Sequence, residues 1–275
     1  MSIGSEARLS ALDFVLDEQV RTSPGASAAQ SSAENIAADL FGVVDVLDSS
    51  GALRRALVDP GTPDEARVGL VHGVLDGKVS AAAANVVAEA ARVRWPGPGT
   101  LVAAIERQAV RAELLRANAN NQLEETEDEL FRFARLVQSN PGLRDALSDR
   151  AVPLEHRRQL VDDLLAGKAT EATLTLAKRG VAARARTFDH TLEGYVTLAA
   201  EQKNRIIATV RVAKPLDSER IERLQSALSR QAGRPVFVQV IVDEHVLGGV
   251  RVELGDEVIE GTVAAKLESA RRLFS

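Results

Sequence analysis

Apolar residues recur at helical spacing over roughly the first 200 positions of the chain, and the texture then changes to short alternating runs. Between Glu6 and Arg21, Leu9, Leu12 and Leu16 share one side with acidic residues between them, which predicts a helix. The next stretch, TSPGASAAQSSAEN from Thr22 to Asn35, is small and polar and predicts a flexible linker or loop. From Arg205 onward, RIIATVRVA is rich in β-branched residues and predicts a strand. Leu216–Gly233 predicts an amphipathic helix, started by Asp217 or Ser218 and stopped by Gly233. PVFVQVIV predicts a strand with Val236, Val238 and Val240 on one face, GGVRVELGDEVIEGT a strand–turn–strand, and TVAAKLESARRLF a closing helix.

The helical part repeats itself. The segment Leu40–Lys78 aligns without a gap to Leu130–Lys168, an offset of 90 residues, with 16 identities in 39 positions. Leu53/Leu143, Arg54/Arg144, Leu57/Leu147, Asp59/Asp149, Pro63/Pro153 and Arg67/Arg157 are among the pairs. Chance would give roughly three at ordinary residue frequencies, so the segment is an internal duplication. Each copy reads as a helix ending at SSG or NPG, a short helix, a turn with proline, and a helix closed by Gly-Lys, whose glycine suits a left-handed cap. RWPGPGT, Arg94–Thr100, must interrupt helix and serves as the boundary between copies. The expected fold class is therefore mainly α: a duplicated helical-bundle region followed by a small α+β C-terminal domain. The expected division is a first helical copy over 1–100, a second over 101–204, and the α+β domain over 205–275.

Composition narrows the function. The profile, 45% hydrophobic and 27% charged with a net charge of −5, is that of a soluble globular protein and disfavours general nucleic-acid binding. With no cysteine, there is no disulfide, thiol nucleophile or thiolate metal site. The start lacks the pattern of a secretory signal, and no apolar run approaches the ~20 residues needed to span a bilayer. Only 3% of residues are aromatic, which argues against a deep aromatic ligand pocket and for packing through small aliphatic side chains.

The one stretch that invites a chemical reading is VDEHVLGGVRVELGDEVIEGT, Val242–Thr262. Its glycines all have structural work: Gly248-Gly249 a bend, Gly255 the turn, Gly261 a break before a helix cap at Thr262. No phosphate-loop spacing is present, and Glu253, Asp256, Glu257 and Glu260 are scattered by hairpin alternation instead of converging on a metal. His72, His156, His190 and His245 show no metal-ligand spacing, and no Gly-x-Ser-x-Gly elbow occurs. Lys78 and Lys168 suit helix C-terminal capping. Recurrence of Arg54/Arg144 and Arg67/Arg157 argues for a role in the fold, Trp95 and Tyr195 read as packing residues, and EETEDE at Glu124–Glu129 reads as an acidic, solvated helix start. No catalytic, cofactor-binding or metal-ligating residue is expected.

IVDEHVLGGVRVELGDEVIEGTVAAKLESARR resembles the C-terminal signature of the delta subunit of bacterial F-type ATP synthases, a family similar to the mitochondrial oligomycin-sensitivity-conferring protein. The pattern falls on Asp243, Leu247, Gly248, Gly249, Gly255, Asp256, Glu260, Gly261, Thr262 and Leu267, with Glu260 where Asp is usual and Thr262 where Ser is usual. The resemblance covers about Leu101–Ser275, and the added N-terminal copy resembles the long actinobacterial type. It implies a non-catalytic stator subunit that joins the N-terminal helix of the alpha subunit to the b subunit of the peripheral stalk. It implies no cofactor and a peripheral place at the cytoplasmic face of the cell membrane, reached through the complex. Val110, Leu114 and Leu198 are the candidate residues for the alpha-subunit groove on the second copy. Val246, Leu247, Val263, Leu267 and Leu273 are the candidates for the b-subunit joint. A helical-repeat scaffold outside ATP synthase and a small-molecule enzyme using the acidic hairpin remain as alternatives.

Overall fold

The computed structural model describes residues 3–21, 26–183, 187–203, 206–214, 216–233, 236–242, 249–254 and 257–262. The chain divides into two compact units, Met1–Gln202 and Lys203–Ser275.

The first unit is helical. Its elements are α1 Ile3–Arg21, α2 Ala26–Ser49, α3 Gly51–Val58, α4 Asp64–Leu75, α5 Ala81–Arg92, α6 Pro98–Ala119, α7 Leu123–Ser139, α8 Pro141–Ser148, α9 Leu154–Leu165, α10 Glu171–Gly180 and α11 Phe188–Lys203. The expected linker over 22–35 is mostly helix instead, since α2 begins at Ala26. After Gly25 the stretch contains neither glycine nor proline and is rich in alanine, the best helix former, so it extends the amphipathic helix that follows.

The duplication is written into the local devices that shape each bundle. Ser50 accepts from the Leu53 amide at 3.3 Å to cap α3, and Asn140 accepts from Leu143 at 3.2 Å to cap α8. Asp59 takes the Gly61 amide, and Asp149 takes that of Ala151. The amide of Ser80, which starts α5, donates to Asp39 at 2.7 Å; that of Thr170, which starts α10, donates to Glu129 at 2.9 Å. Gly77 and Gly167 close α4 and α9 with φ of +74° and +70°, a region costly for any residue with a Cβ. Lys168 then bonds the Leu164 carbonyl through Nζ, so it caps as expected.

Two hydrophobic cores result. The first gathers Leu12, Leu16, Leu40, Leu47, Val86 and Ile105 with many alanines. Ala83, Ala84, Ala90, Ala91, Ala104, Ala109 and Ala112 are almost fully buried, and small side chains let α2, α5 and α6 approach closely. The second core gathers Leu130, Phe133, Val137, Leu147, Phe188 and Tyr195, with Phe133 and Phe188 packed edge to face at 5.7 Å. Bulk there has a local consequence. Gly180 stands where the first bundle has Ala90, and a Cβ on it would lie 3.0 Å from the Phe188 ring.

α6 belongs to both bundles. Leu101, Val102, Ile105, Ala109 and Ala112 lie in the first core, while Val110 and Leu114 lie in the second. The helix is thus the last of one bundle and the first of the next, and RWPGPGT ends with the first residues of α6.

In the second unit, β1 Ile206–Val212, α12 Ser218–Ala232, β2 Val236–Val242, β3 Gly249–Leu254 and β4 Glu257–Thr262 form a sheet of order β2-β1-β3-β4. β1 and β2 are parallel, joined through α12; β1 pairs β3 and β3 pairs β4 antiparallel. Asp217 caps α12 through the Arg220 amide, and Gly233 stops it with φ of +66°. Ala208, Val210, Val212, Val236, Val238 and Val252 are buried on one face together with Ile221 and Leu228 of α12. The Val236 amide donates to Ser229 at 2.9 Å and pins the helix to β2. The closing helix expected after Thr262 lies outside the described residues.

Candidate partner interface

Charged side chains join the two bundles, and these were not legible as a motif. Arg179 of α10 pairs with Asp45 of α2 and, at 3.2 Å, with Glu106 of α6; its guanidinium lies 5.1 Å from the centre of the Phe41 ring. Burial pushes the Glu106 carboxyl above the usual carboxylate range, Arg179 offsetting only part, with Asp48 and Asp45 adding to the rise. For Arg179 burial opposes the charge, but Asp45 and Glu106 outweigh it and raise its pKa further. Arg107 of α6 pairs both with Asp13 of α1 and, at 3.6 Å, with Glu201 of α11; beside it, inside the first bundle, Arg111 reaches Asp13 at 2.9 Å and Asp17 at 3.1 Å, and Gln108 donates to Asp13 at 2.8 Å. Burial alone would raise the Asp13 pKa; Arg111 and Arg107 together hold it below the ordinary value. Within the second bundle, Arg116 pairs with Glu113 and Glu171 and ties α6 to α10.

The repeat-equivalents of these residues have different chemistry. Arg135 stands at Asp45's place, Glu89 at Arg179's and Glu201 at Arg111's. The devices that fold each bundle are kept in both copies, whereas those that bind one bundle to the other occur once.

Val110 and Leu114 are completely buried in the second core, so neither offers surface to a partner in this structure. Leu198 is half-buried and packs on the same core. Val246, Leu247, Val263, Leu267 and Leu273 lie outside the described residues. Among the described residues, the large apolar side chains that face outward are Val46, Phe131, Leu136 and Val242, about half exposed each. Val46 borders a shallow notch of about 10 Å³, room for a single water, walled by Leu53, Leu57, Val71 and Val74. Its lining is wholly aliphatic and supplies none of the polar groups that orient a small ligand.

Glu253 lies 3.5 Å from both Arg211 and Arg251, which are cross-strand partners on β1 and β3. Glu129 departs from the solvated reading: it accepts from the Thr170 amide and from the hydroxyls of Thr170 and Thr173. Arg67 and Arg157 are buried and bond backbone carbonyls, the role in the fold that their recurrence pointed to. Trp95 packs on the first core and donates to the Ala90 carbonyl at 2.7 Å, and Tyr195 is 6% exposed in the second. His72 pairs with Asp76 and His190 with Asp189. Among the described residues no group of three or more acidic or histidine side chains could hold a metal.

Residues 110–274 match the family model described as ATP synthase delta (OSCP) subunit. The chain is 42% identical over 275 residues to the ATP synthase subunit delta of Parafrankia sp. (strain EAN1pec), covering 99% of each. It is 41% identical over 269 residues to that of Kineococcus radiotolerans, covering 98% of this chain and 95% of the relative. With that of Thermobifida fusca it shares 41% over 235 residues, 85% of this chain and 87% of the relative. Both helical bundles and the sheet domain fall within the longest of these matches, and the chain belongs to the ATP synthase delta (OSCP) subunit family.

Proposed function

We propose that this chain is a non-catalytic stator subunit of the proton-translocating F-type ATP synthase, tying the catalytic headpiece to the peripheral stalk so that rotor torque drives ATP synthesis. The observation that carries the reading is the family match over 110–274, which runs from α6 through the end of the sheet domain. The build of the helical unit supports it. A joint under torque needs stiffness and slow dissociation more than chemistry. Two bundles that share a buried helix and are cross-linked by Arg179, and by Arg107 between Asp13 of α1 and Glu201 of α11, resist bending against one another. Two gripping sites on one chain would raise avidity through effective concentration.

In this reading one partner is the N-terminal helix of the alpha subunit, held on the second bundle with Leu198 at the rim, while Val110 and Leu114 support the groove from within the core without touching the partner. The other is the b subunit, held on the sheet domain through Val246, Leu247, Val263, Leu267 and Leu273. No helix among the described residues is long and apolar enough to cross a membrane; attachment at the cytoplasmic face would come through the complex.

The test is removal and return. Membrane vesicles stripped of the chain should lose ATP-driven proton pumping and regain it when the purified chain is added. Pumping that survives the removal unchanged, or membranes whose ATP synthase co-purifies without the chain, would overturn the reading.

A further inference from the structure

We infer that the outward face of α7 around Phe131 and Arg135 is a docking seat for an acidic amphipathic helix supplied by a partner protein. The internal duplication provides the template. Phe131 is the repeat-equivalent of Phe41, and Arg135 of Asp45. In the first bundle that seat is filled: Phe41 packs against both cores beneath Arg179, and Asp45, one turn on, pairs with the same guanidinium. The second bundle therefore reaches this part of α2 through one side chain, the Arg179 guanidinium of α10. On α7 the same place is open. Phe131 is 53% exposed, and Arg135 donates to the side-chain carbonyl oxygen of Gln138 at 2.8 Å instead of to a carboxylate.

An exposed aromatic beside an exposed guanidinium is the kind of pair that anchors interfaces. Its charge identifies the occupant. Asp45 receives a cation on the first bundle; Arg135, in its position, calls for an anion. Arg132 and Asp128 pair with each other at 2.8 Å and cancel. Glu124 and Glu127 lie two turns and one turn before Phe131 on this face and Arg135 one turn after it, so the face is acidic at its start and basic near its end. The occupant lays an apolar side chain on Phe131 and places a carboxylate against Arg135, three or four residues away along its own helix.

Photo-crosslinking in living cells tests this with the full chain. The variant Phe131→p-benzoylphenylalanine replaces an exposed ring by a longer one and leaves both cores untouched. We expect a crosslink to another protein, mapped by mass spectrometry to a segment with apolar residues at helical spacing and an Asp or Glu three or four residues from the attachment point. Adding Arg135→Glu should lower the crosslink about tenfold through like-charge repulsion, and Arg135→Lys should retain most of it. A crosslink to residues 263–275 of the same chain, to a second copy, or to a basic segment would overturn the seat. So would no crosslink at all, or a yield indifferent to Arg135→Glu. The outcome is separable from the stator reading: a helix from outside ATP synthase would uphold the seat and count against that reading, whereas a silent position 131 in a chain that co-purifies with ATP synthase would do the reverse.

Discussion

Arg67 and Arg157 occupy equivalent points of the two bundles, and each bonds a carbonyl at the end of the helix that follows its own: Arg67 that of Ala91 at 2.8 Å, Arg157 that of Val181 at 2.7 Å. Both are buried, and both tie the preceding turn as well, through the carbonyls of Asp59 and Thr62 or of Leu147 and Val152. One guanidinium in each copy thus satisfies carbonyls that a helix C-terminus would otherwise bury unpaired.

Replacing Arg67 by Met should cost about 3–5 kcal/mol, because several buried carbonyls lose their donor at once. Arg157→Met should cost less, since Arg67 also bonds Asp64 and Arg92. Urea unfolding of the two variants gives the ranking. A loss under 1 kcal/mol for Arg67→Met would show that the carbonyls find other donors.

The Arg179 junction has a pH signature. The Glu106 carboxyl has a folded pKa above its ordinary 4.5, so the folded state holds a proton that the unfolded state has released. Stability from this group rises as pH falls from the raised folded value toward 4.5 and is flat below it. Arg179→Met removes the opposing cation and widens that window upward. The variant should be destabilised by about 2–4 kcal/mol at neutral pH, with the deficit shrinking toward pH 5. Unfolding midpoints measured between pH 8 and 5 decide it, and a pH-independent deficit would show that Glu106 does not feel the guanidinium.

Asp13 works in the opposite sense. Its folded pKa lies below the ordinary 3.8, so its contribution is present above 3.8 and is lost as pH falls through the folded value. Asp13→Asn should lower stability at neutral pH and flatten the acid limb below pH 4, leaving the region above pH 5 parallel to the parent. A variant that keeps the full acid slope would assign that slope to other carboxylates.

Cutting the chain before Leu101 should not release an intact second bundle. It would expose Leu101, Val102, Ile105, Ala109 and Ala112 and remove Asp13 and Asp17 from the buried Arg111. Residues 101–275 are expected to be less stable than the full chain and to bind a hydrophobic dye. A fragment matching the parent in midpoint and dye binding would show that α6 needs only the second core.

The C-terminal strands and α12 were legible because alternation, an Asp cap and a stopping glycine are local signals, and Val236 and Val238 are buried as the pattern required. The short helices and their turns were legible twice over, through Asp59/Asp149 and Gly77/Gly167. Residues 26–35 were misread because small polar residues suit loops and helices alike, and only the neighbouring helix tips the balance. Val110 and Leu114 stand at positions whose apolar spacing is the same whether a helix lines a groove or fills a core. Periodicity marks a buried face without saying what buries it.

By itself the sequence determined the repeat, the mainly α class with its small sheet-bearing C-terminal part, and the family, because each rests on residues near in the chain or on likeness between whole segments. The tertiary structure decided which faces of those elements remain free. α6 carries apolar residues on two sides, and only folding shows both sides covered, one by each bundle. Phe41 and Phe131 are identical letters in equivalent positions, yet one lies beneath Arg179 and the other faces solvent. That difference is made by a partner more than a hundred positions away, and burial by distant partners is a property of the packed chain that no local spacing encodes.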